Sequence, residues 1–457
     1  MKKHIFLIAF SLCAILVNAQ DSTQVEKRAF TLEEAILYGL DNGYNSRIAK
    51  KDVAIALKQK WEIIAQGLPQ ISGDANYTNN LKQPVTLIPS EVAGGEPGTF
   101  VPVTFGTQHS VNATGTWNQL IFDGSYIVGI QSAKTLLQIS ENAKVKTDLE
   151  VKKAITDAYG NVLLATESVE ILKKNVATVE KNLSDTQKIF ENGLAEEEDA
   201  EQLEITLLNL KTNLNNSIRM QAIAYDMLKV TMGIPVEEEI VATDDLNKLS
   251  KENFNLLLLS KEINIEENID YRIAEDQTNL SEVEVKLEKS KALPTLSAFV
   301  NYGVAGYGDE FNFFDSNQEY FTQSVLGVNL SIPIFSSGMR SAKTAQKQLA
   351  FEQAKLELEQ TRNQVKLEIA NARNDYQFAL ENFENKERNL ELAERIEKKN
   401  SIKFFEGIAT SFELSEAQQQ LFQAQQDYLQ AMLDVINTKA ELETLLDTTK
   451  YPETKDN

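Results

Sequence analysis

The residues best equipped for chemistry are carboxylates, and they gather just past two glycines. Glu196, Glu197, Glu198, Asp199 and Glu201 follow Gly193, and Glu413 and Glu416 follow Gly407. At a helix start such carboxylates complement the macrodipole, by about 0.3–1 kcal/mol each. Paired carboxylates are also what a secreted glycoside hydrolase uses as acid and base. Little else is on offer. The chain has one cysteine, Cys13, and two histidines, His4 and His109. His109 has no second ligand at metal-binding spacing and reads as a surface side chain where a strand starts. The chain contains no G-x-x-x-x-G-K-[ST], and no G-x-G-x-x-G opens a helix after a strand, so no nucleotide or other cofactor is expected.

These side chains sit in a chain of 457 residues, 42% hydrophobic and 25% charged, long enough to bury a sizeable core. Its net charge of −22 disfavours nucleic acid, whose phosphates are bound by clustered Lys and Arg. Lys2, Lys3 and His4 precede an apolar run from Ile5 to Val17, and Val17-Asn18-Ala19 supplies small residues before Gln20. Residues 1–19 therefore read as a signal peptide. Its removal takes away Cys13 and His4, which excludes disulfides, thiolate metal sites and any site needing two histidines. A secreted chain of this size without disulfides is held by packing, by oligomerisation or by a membrane.

The elements that position the carboxylates are long helices. No proline lies between Pro102 and Pro235 or between Pro333 and Pro452, and no glycine between Gly338 and Gly407. Proline costs about 3 kcal/mol in a helix interior and glycine about 1, so these stretches favour unbroken helix. Past the second glycine, Leu414, Ala417, Leu421, Ala424, Tyr428, Ala431, Val435, Thr438, Leu442 and Leu445 fall at alternating steps of three and four. That heptad predicts a coiled-coil seam.

Four segments switch to period two. Ile71, Gly73, Ala75 and Tyr77 alternate with polar neighbours, as do Val111, Ala113, Gly115 and Trp117. Leu296, Ala298, Val300 and Tyr302 do the same, although Phe299 interrupts their polar face, and so do Leu326, Val328, Leu330 and Ile332. Each pair of strands brackets a loop, around 83–106 and 303–320, giving two hairpins. Two isolated hairpins are marginal in water.

The chain repeats itself. Arg47-Ile48-Ala49 returns as Arg272-Ile273-Ala274, and Leu68-Pro69 as Leu293-Pro294. Gly193 returns as Gly407, and Leu203, Leu207, Leu210, Leu214 and Leu228 map onto Ala417, Leu421, Ala424, Tyr428 and Leu442. The predicted first repeat spans 30–234, with a hairpin at 68–122 and helices at 31–66, 125–192 and 197–232. A linker at 235–261 follows. The second repeat spans 262–448, with a hairpin at 293–334 and helices at 262–291, 336–405 and 411–446, before a tail at 449–457. The fold class is mostly α with a small β part, internally duplicated.

Five motifs carry a family resemblance. Phe30-Thr-Leu-Glu-Glu-Ala35, Gly67-Leu-Pro-Gln-Ile-Ser72 and Leu120-Ile-Phe-Asp-Gly124 resemble the TolC-like outer membrane efflux proteins. So do Phe190-Glu-Asn-Gly193 and Phe404-Phe-Glu-Gly407, each followed by a coiled-coil helix. The resemblance runs from about Phe30 to Asp447. It implies a homotrimer in the outer membrane, each protomer giving four strands to a twelve-stranded β-barrel, with the helices continuing as a periplasmic α-barrel. It also implies a periplasmic adaptor, an inner-membrane RND or ABC pump, and contact with outer membrane lipid. Gly193 and Gly407 would form the tip turns that meet the adaptor. Asp199, Glu413 and Glu416 align with acidic positions of the family's aperture, where three copies would make cation-favouring rings. Tyr77, Trp117 and Tyr302 are candidates for the aromatic girdles at the membrane interfaces, and Arg340 for an interfacial cation at the barrel rim. The family's tyrosine three before the second glycine and arginine two after it are replaced by Phe404 and Ala409, so the polar links of the closed tip are absent.

The function expected is a passive exit duct of a tripartite efflux or type I secretion system, and not an enzyme. A carboxylate hydrolase needs a compact cleft, which long rods do not build, and a pore-less coiled-coil scaffold needs no barrel strands.

Overall fold

A computed structural model describes residues 28–262 and 264–446; the expected signal peptide and C-terminal tail lie outside them. The chain is mostly helical, with a small sheet part. In order come β1 (Arg28–Phe30), α1 (Leu32–Asn42), α2 (Tyr44–Gln66), β2 (Gln70–Asn79), β3 (Val85–Pro89), β4 (Phe100–Thr104), β5 (His109–Asp123), α3 (Gly124–Glu191) and α4 (Glu197–Met232). There follow β6 (Ile240–Ala242), α5 (Leu246–Glu252), α6 (Leu257–Ser260), α7 (Ile269–Ser290), β7 (Thr295–Gly308), β8 (Tyr320–Ser331), α8 (Met339–Phe405) and α9 (Ser411–Leu446). They divide into two compact units.

The first unit takes, among the described residues, those of 28–52, 142–272 and 360–446. Its core joins Val151, Ile155, Tyr159 and Val162 of α3 to Leu228 and Met232 of α4, Val365, Ile369 and Tyr376 of α8, and Tyr428, Val435 and Leu442 of α9. Every residue of the α9 heptad is buried or half-buried, as the three-and-four spacing requires. Two fully buried tyrosines tie the short elements to the long ones. The Tyr159 hydroxyl donates to the Phe30 carbonyl at 2.8 Å and accepts from the Thr243 and Asp244 amides. Tyr376 donates to the Asn253 carbonyl at 2.6 Å and accepts from the Asn255 amide at 2.9 Å. Burial pushes both phenols up, so they stay neutral donors.

The second unit takes residues 53–141 and 273–359 and is built on one antiparallel sheet, order β2-β5-β7-β8. The two expected hairpins are thus joined: β5 pairs with β7 from His109↔Gly308 to Asp123↔Thr295, with a bulge at Ile121. Asp123 ends the strand and starts α3, its Oδ1 accepting from the Ser125 amide at 2.7 Å and the Tyr126 amide at 3.3 Å. The second half turns the corner differently, with Ser337 and Gly338 both at positive φ and Arg340 donating to the Pro333 carbonyl at 2.7 Å.

Several expectations need correction. The helix expected over 31–66 is two helices, because Gly43 turns extended (φ −56, ψ 140) and a Cβ there would lie 2.4 Å from the Gly39 carbonyl oxygen. The helix expected from 262 begins at Ile269, where Asn268 Oδ1 caps the Asp270 and Tyr271 amides; a 3-10 turn precedes it. The Pro- and Gly-rich loop at 83–106 folds into a further hairpin, β3 against β4. The linker at 235–261 holds β6, α5 and α6, with β6 parallel to β1. His109 is buried, not a surface side chain.

Candidate functional site

The two glycine turns are close copies. Gly193 (φ 75) and Gly407 (φ 73) take the left-handed conformation that ends α3 and α8. The amides of Gly193 and Leu194 reach the Phe190 and Ile189 carbonyls, and those of Gly407 and Ile408 reach Phe404 and Lys403. Both are Schellman motifs, which satisfy carbonyls that a helix end leaves orphaned. Leu194 and Ile408 remain 81% and 71% exposed, two apolar side chains held out into solvent by backbone geometry.

The carboxylates beyond them divide by role. Asp199 closes a capping box on the start of α4, accepting from the Glu196 amide at 3.3 Å. Glu413 does the same for α9: its Oε2 accepts from the Thr410 amide at 2.9 Å, while Thr410 Oγ1 accepts from the Glu413 amide at 3.2 Å. Glu416, one turn on, faces a groove of about 860 Å³ between α3, α4 and α9, where polar side chains such as Gln202, Asn209 and Gln423 mix with apolar ones such as Leu172, Ile205 and Phe412. Among the described residues no cluster of His, Cys, Asp and Glu is arranged to hold a metal ion.

Sequence reasoning missed a polar seam between α3 and α9. Asn175 Nδ2 donates to Gln425 Oε1 at 2.8 Å. One heptad further along, Asn182 and Gln418 are 6% and 1% exposed, and neither the Asn182 amide nitrogen nor either polar atom of Gln418 has a formed hydrogen bond. Thr186 Oγ1 is buried and unpaired as well. Burial pushes the Glu397 carboxyl up, offset in part by the nearby Gln418 amide, whose approach falls short of a formed hydrogen bond. The signal was present as Asn and Gln at helical spacing, but polar residues at seam positions read as surface when the partner helix is unknown.

The sheet has two unlike faces. Its register puts Ile71, Ala75, Tyr77, Val111, Trp117, Val300, Tyr302, Leu326, Val328 and Leu330 on one side. On the other lie Gln70, Ser72, Asp74, Asn76, Asn112, Thr114, Thr116, Asn118, Asn301, Gln323 and Asn329. Apolar side chains at both edges face solvent, Ile71 at 80% and Leu326 at 75%. Phe299 interrupts the polar face, as do Tyr307, Phe321 and Val325, and it lays its ring over Gly327, where a Cβ would come within 2.4 Å. The three aromatics occupy three levels: Tyr77 with Gly306, Tyr302 four residues lower, and Trp117 with Val300 two lower still. Tyr77 bonds His109 Nδ1 at 2.7 Å and stacks on its ring, with Phe311 edge-on to both. Among the described residues no helix is long and apolar enough to cross a membrane.

Residues 264–448 match the family described as Outer membrane efflux protein. The chain is 24% identical over 217 residues to the alkaline protease secretion protein AprF of Pseudomonas aeruginosa, covering 46% of this chain and 43% of that one. It is 22% identical over 257 residues to the outer membrane protein TolC of Vibrio cholerae, covering 53% and 55%. The chain therefore spans about half the length of the curated relatives it matches. Its fold is similar to the crystal structure of CusC, with a TM-score of 0.72 over 91% of both chains at 16% identity.

Proposed function

Because the chain belongs to the TolC-like outer membrane efflux family, we propose that it is the exit duct of a tripartite efflux or type I secretion system. The family is one of outer membrane channels, not enzymes, and the chain is an outer membrane protein with a large periplasmic part. One observation carries the proposal. The four-stranded sheet has an apolar face and a polar face, and its outer strands β2 and β8 each lack a neighbour on one side. A sheet with free edges cannot span lipid, because every backbone donor left unpaired there costs several kcal/mol. Three copies joined β8 to β2 make twelve strands, closed, with the apolar face to lipid and the polar face around a lumen.

The helices would extend this lumen as an α-barrel. Besides its buried leucines, α4 keeps Met220, Ile223, Met227 and Val230 about half exposed at three-and-four spacing, a stripe suited to a neighbouring protomer. The turns at Gly193 and Gly407, with Leu194 and Ile408 held outward, are the surface we assign to a periplasmic adaptor coupled to an RND or ABC pump. Asp199, Glu413 and Glu416 would line the aperture; capping leaves the charges of Asp199 and Glu413 in place, so the two roles are compatible. Purification from outer membranes in mild detergent tests the core of the reading. A trimer that runs as a compact band until heated is expected, and a water-soluble monomer would sink it.

A further inference from the structure

Resting on the exit-duct reading, we propose that the outer part of the pore selects for cationic solutes, and that Asp74 is the residue on its wall that sets this preference. None of the residues of β2, β5, β7 and β8 is Lys or Arg. On the polar face the register draws one row straight across the sheet, Asp74 to Thr114 to Gly303 to Gln323. Over Gly303 the neighbouring side chains close in, since a Cβ there would lie 3.2 Å from Thr114 Oγ1 and 3.3 Å from Gln323 Nε2. Asp74 is exposed and has neither a hydrogen bond nor an ion-pair partner among the described residues. Its charge is therefore uncompensated by the wall. One row lower, the Asn301 amide oxygen is buried and unpaired, an acceptor with no donor of its own.

The loops at the same end of the sheet have the same sign. Glu91, Glu96, Asp309, Glu310, Asp315 and Glu319 stand in the loops after β2 and β7 against a single lysine, Lys82. A narrow passage with low-dielectric walls and one sign of charge concentrates the opposite ion. Three copies of the acidic mouth and three of Asp74 would draw organic cations outward and hold anions back.

Thiol modification reads this potential whatever the state of the periplasmic tip. Gln323→Cys, and separately Thr114→Cys, place a thiol in the Asp74 row of the assembled protein in outer membranes, with the parent chain as blank. At 0.1 M salt, where screening acts over about 10 Å, a cationic methanethiosulfonate should outpace an anionic one by about threefold or more, relative to a free thiol. Adding Asp74→Asn should bring that ratio towards one, and Asp74→Lys should invert it. A ratio that ignores the residue at position 74 overturns the inference while leaving the duct intact. If neither thiol reacts with either reagent, so that both behave like Ala75→Cys on the apolar face, the polar face is not wetted and the duct reading itself fails.

Discussion

Asp199 and Glu413 stand six residues past a left-handed glycine in the two halves of the chain, and each spends its carboxylate on the helix that follows. Such a residue can act structurally and electrostatically at once, and the two roles separate by substitution. Thr410→Ala removes the hydroxyl of the box and should cost about 1 kcal/mol of stability, read as a lower melting temperature in detergent. Glu413→Gln keeps an acceptor for the Thr410 amide but discards the charge. Combined with Glu416→Gln, it should leave melting nearly unchanged while lowering cation selectivity in bilayer recordings. Unchanged selectivity would mean that these carboxylates only complement the helix dipole. Glu397 offers a pH test of opposite sign. Burial raises its folded pKa above the unfolded value, so the folded state binds the extra proton and loses stability as pH rises through that range. Glu397→Gln should therefore stabilise the protein at pH 8 and have little effect near pH 4. Among single residues, the carboxylates were legible because spacing from a glycine announces a helix start. His109 was not, because its burial is made by Phe311 and Tyr77, distant in sequence.

At the level of elements, periodicity carried most of the information. The α9 heptad is a direct record of which face is covered, and the period-two strands of which side chains share a face; the folded elements agree with both. What escaped were elements too short to have a period, such as the three-residue β1 and β6, whose pairing depends on Tyr159 reaching in from α3. The break at Gly43 escaped for a related reason, since a lone glycine inside an apolar pattern is equally compatible with a continuous helix. Two predictions separate backbone from packing effects. A Cβ at Gly193 or Gly407 meets nothing within 4 Å, so Gly→Ala at either pays only for the left-handed backbone, about 1 kcal/mol. Gly327→Ala instead drives a methyl into the Phe299 ring. Its effect on assembly should be relieved by a second change, Phe299→Ser, whereas no second-site change of that kind should rescue the glycine turns. A double-mutant cycle on heat-resistant trimer yield distinguishes the two.

For the whole molecule the deciding question is which medium meets each face of the sheet, since a single protomer leaves both faces and both edges open. Leu326 and Gln323 make the comparison sharp, because they are three residues apart on β8, point to opposite faces, and belong to the same edge strand. If the apolar face meets lipid, Leu326→Arg must carry a guanidinium into hydrocarbon, at a cost of about 2–4 kcal/mol per copy near the bilayer midplane. Three copies are affected in a trimer, so the penalty multiplies and folded trimer should largely disappear from the outer membrane fraction. Gln323→Arg places the same charge in water on the lumen side, where it should assemble normally and reduce the passage of cations. Strand propensity, edge position and side-chain volume are nearly matched between the two variants, so a difference in assembly isolates the medium. Equal tolerance would mean that neither face is solvated by lipid, and equal loss would mean that β8 is too crowded for arginine on either side.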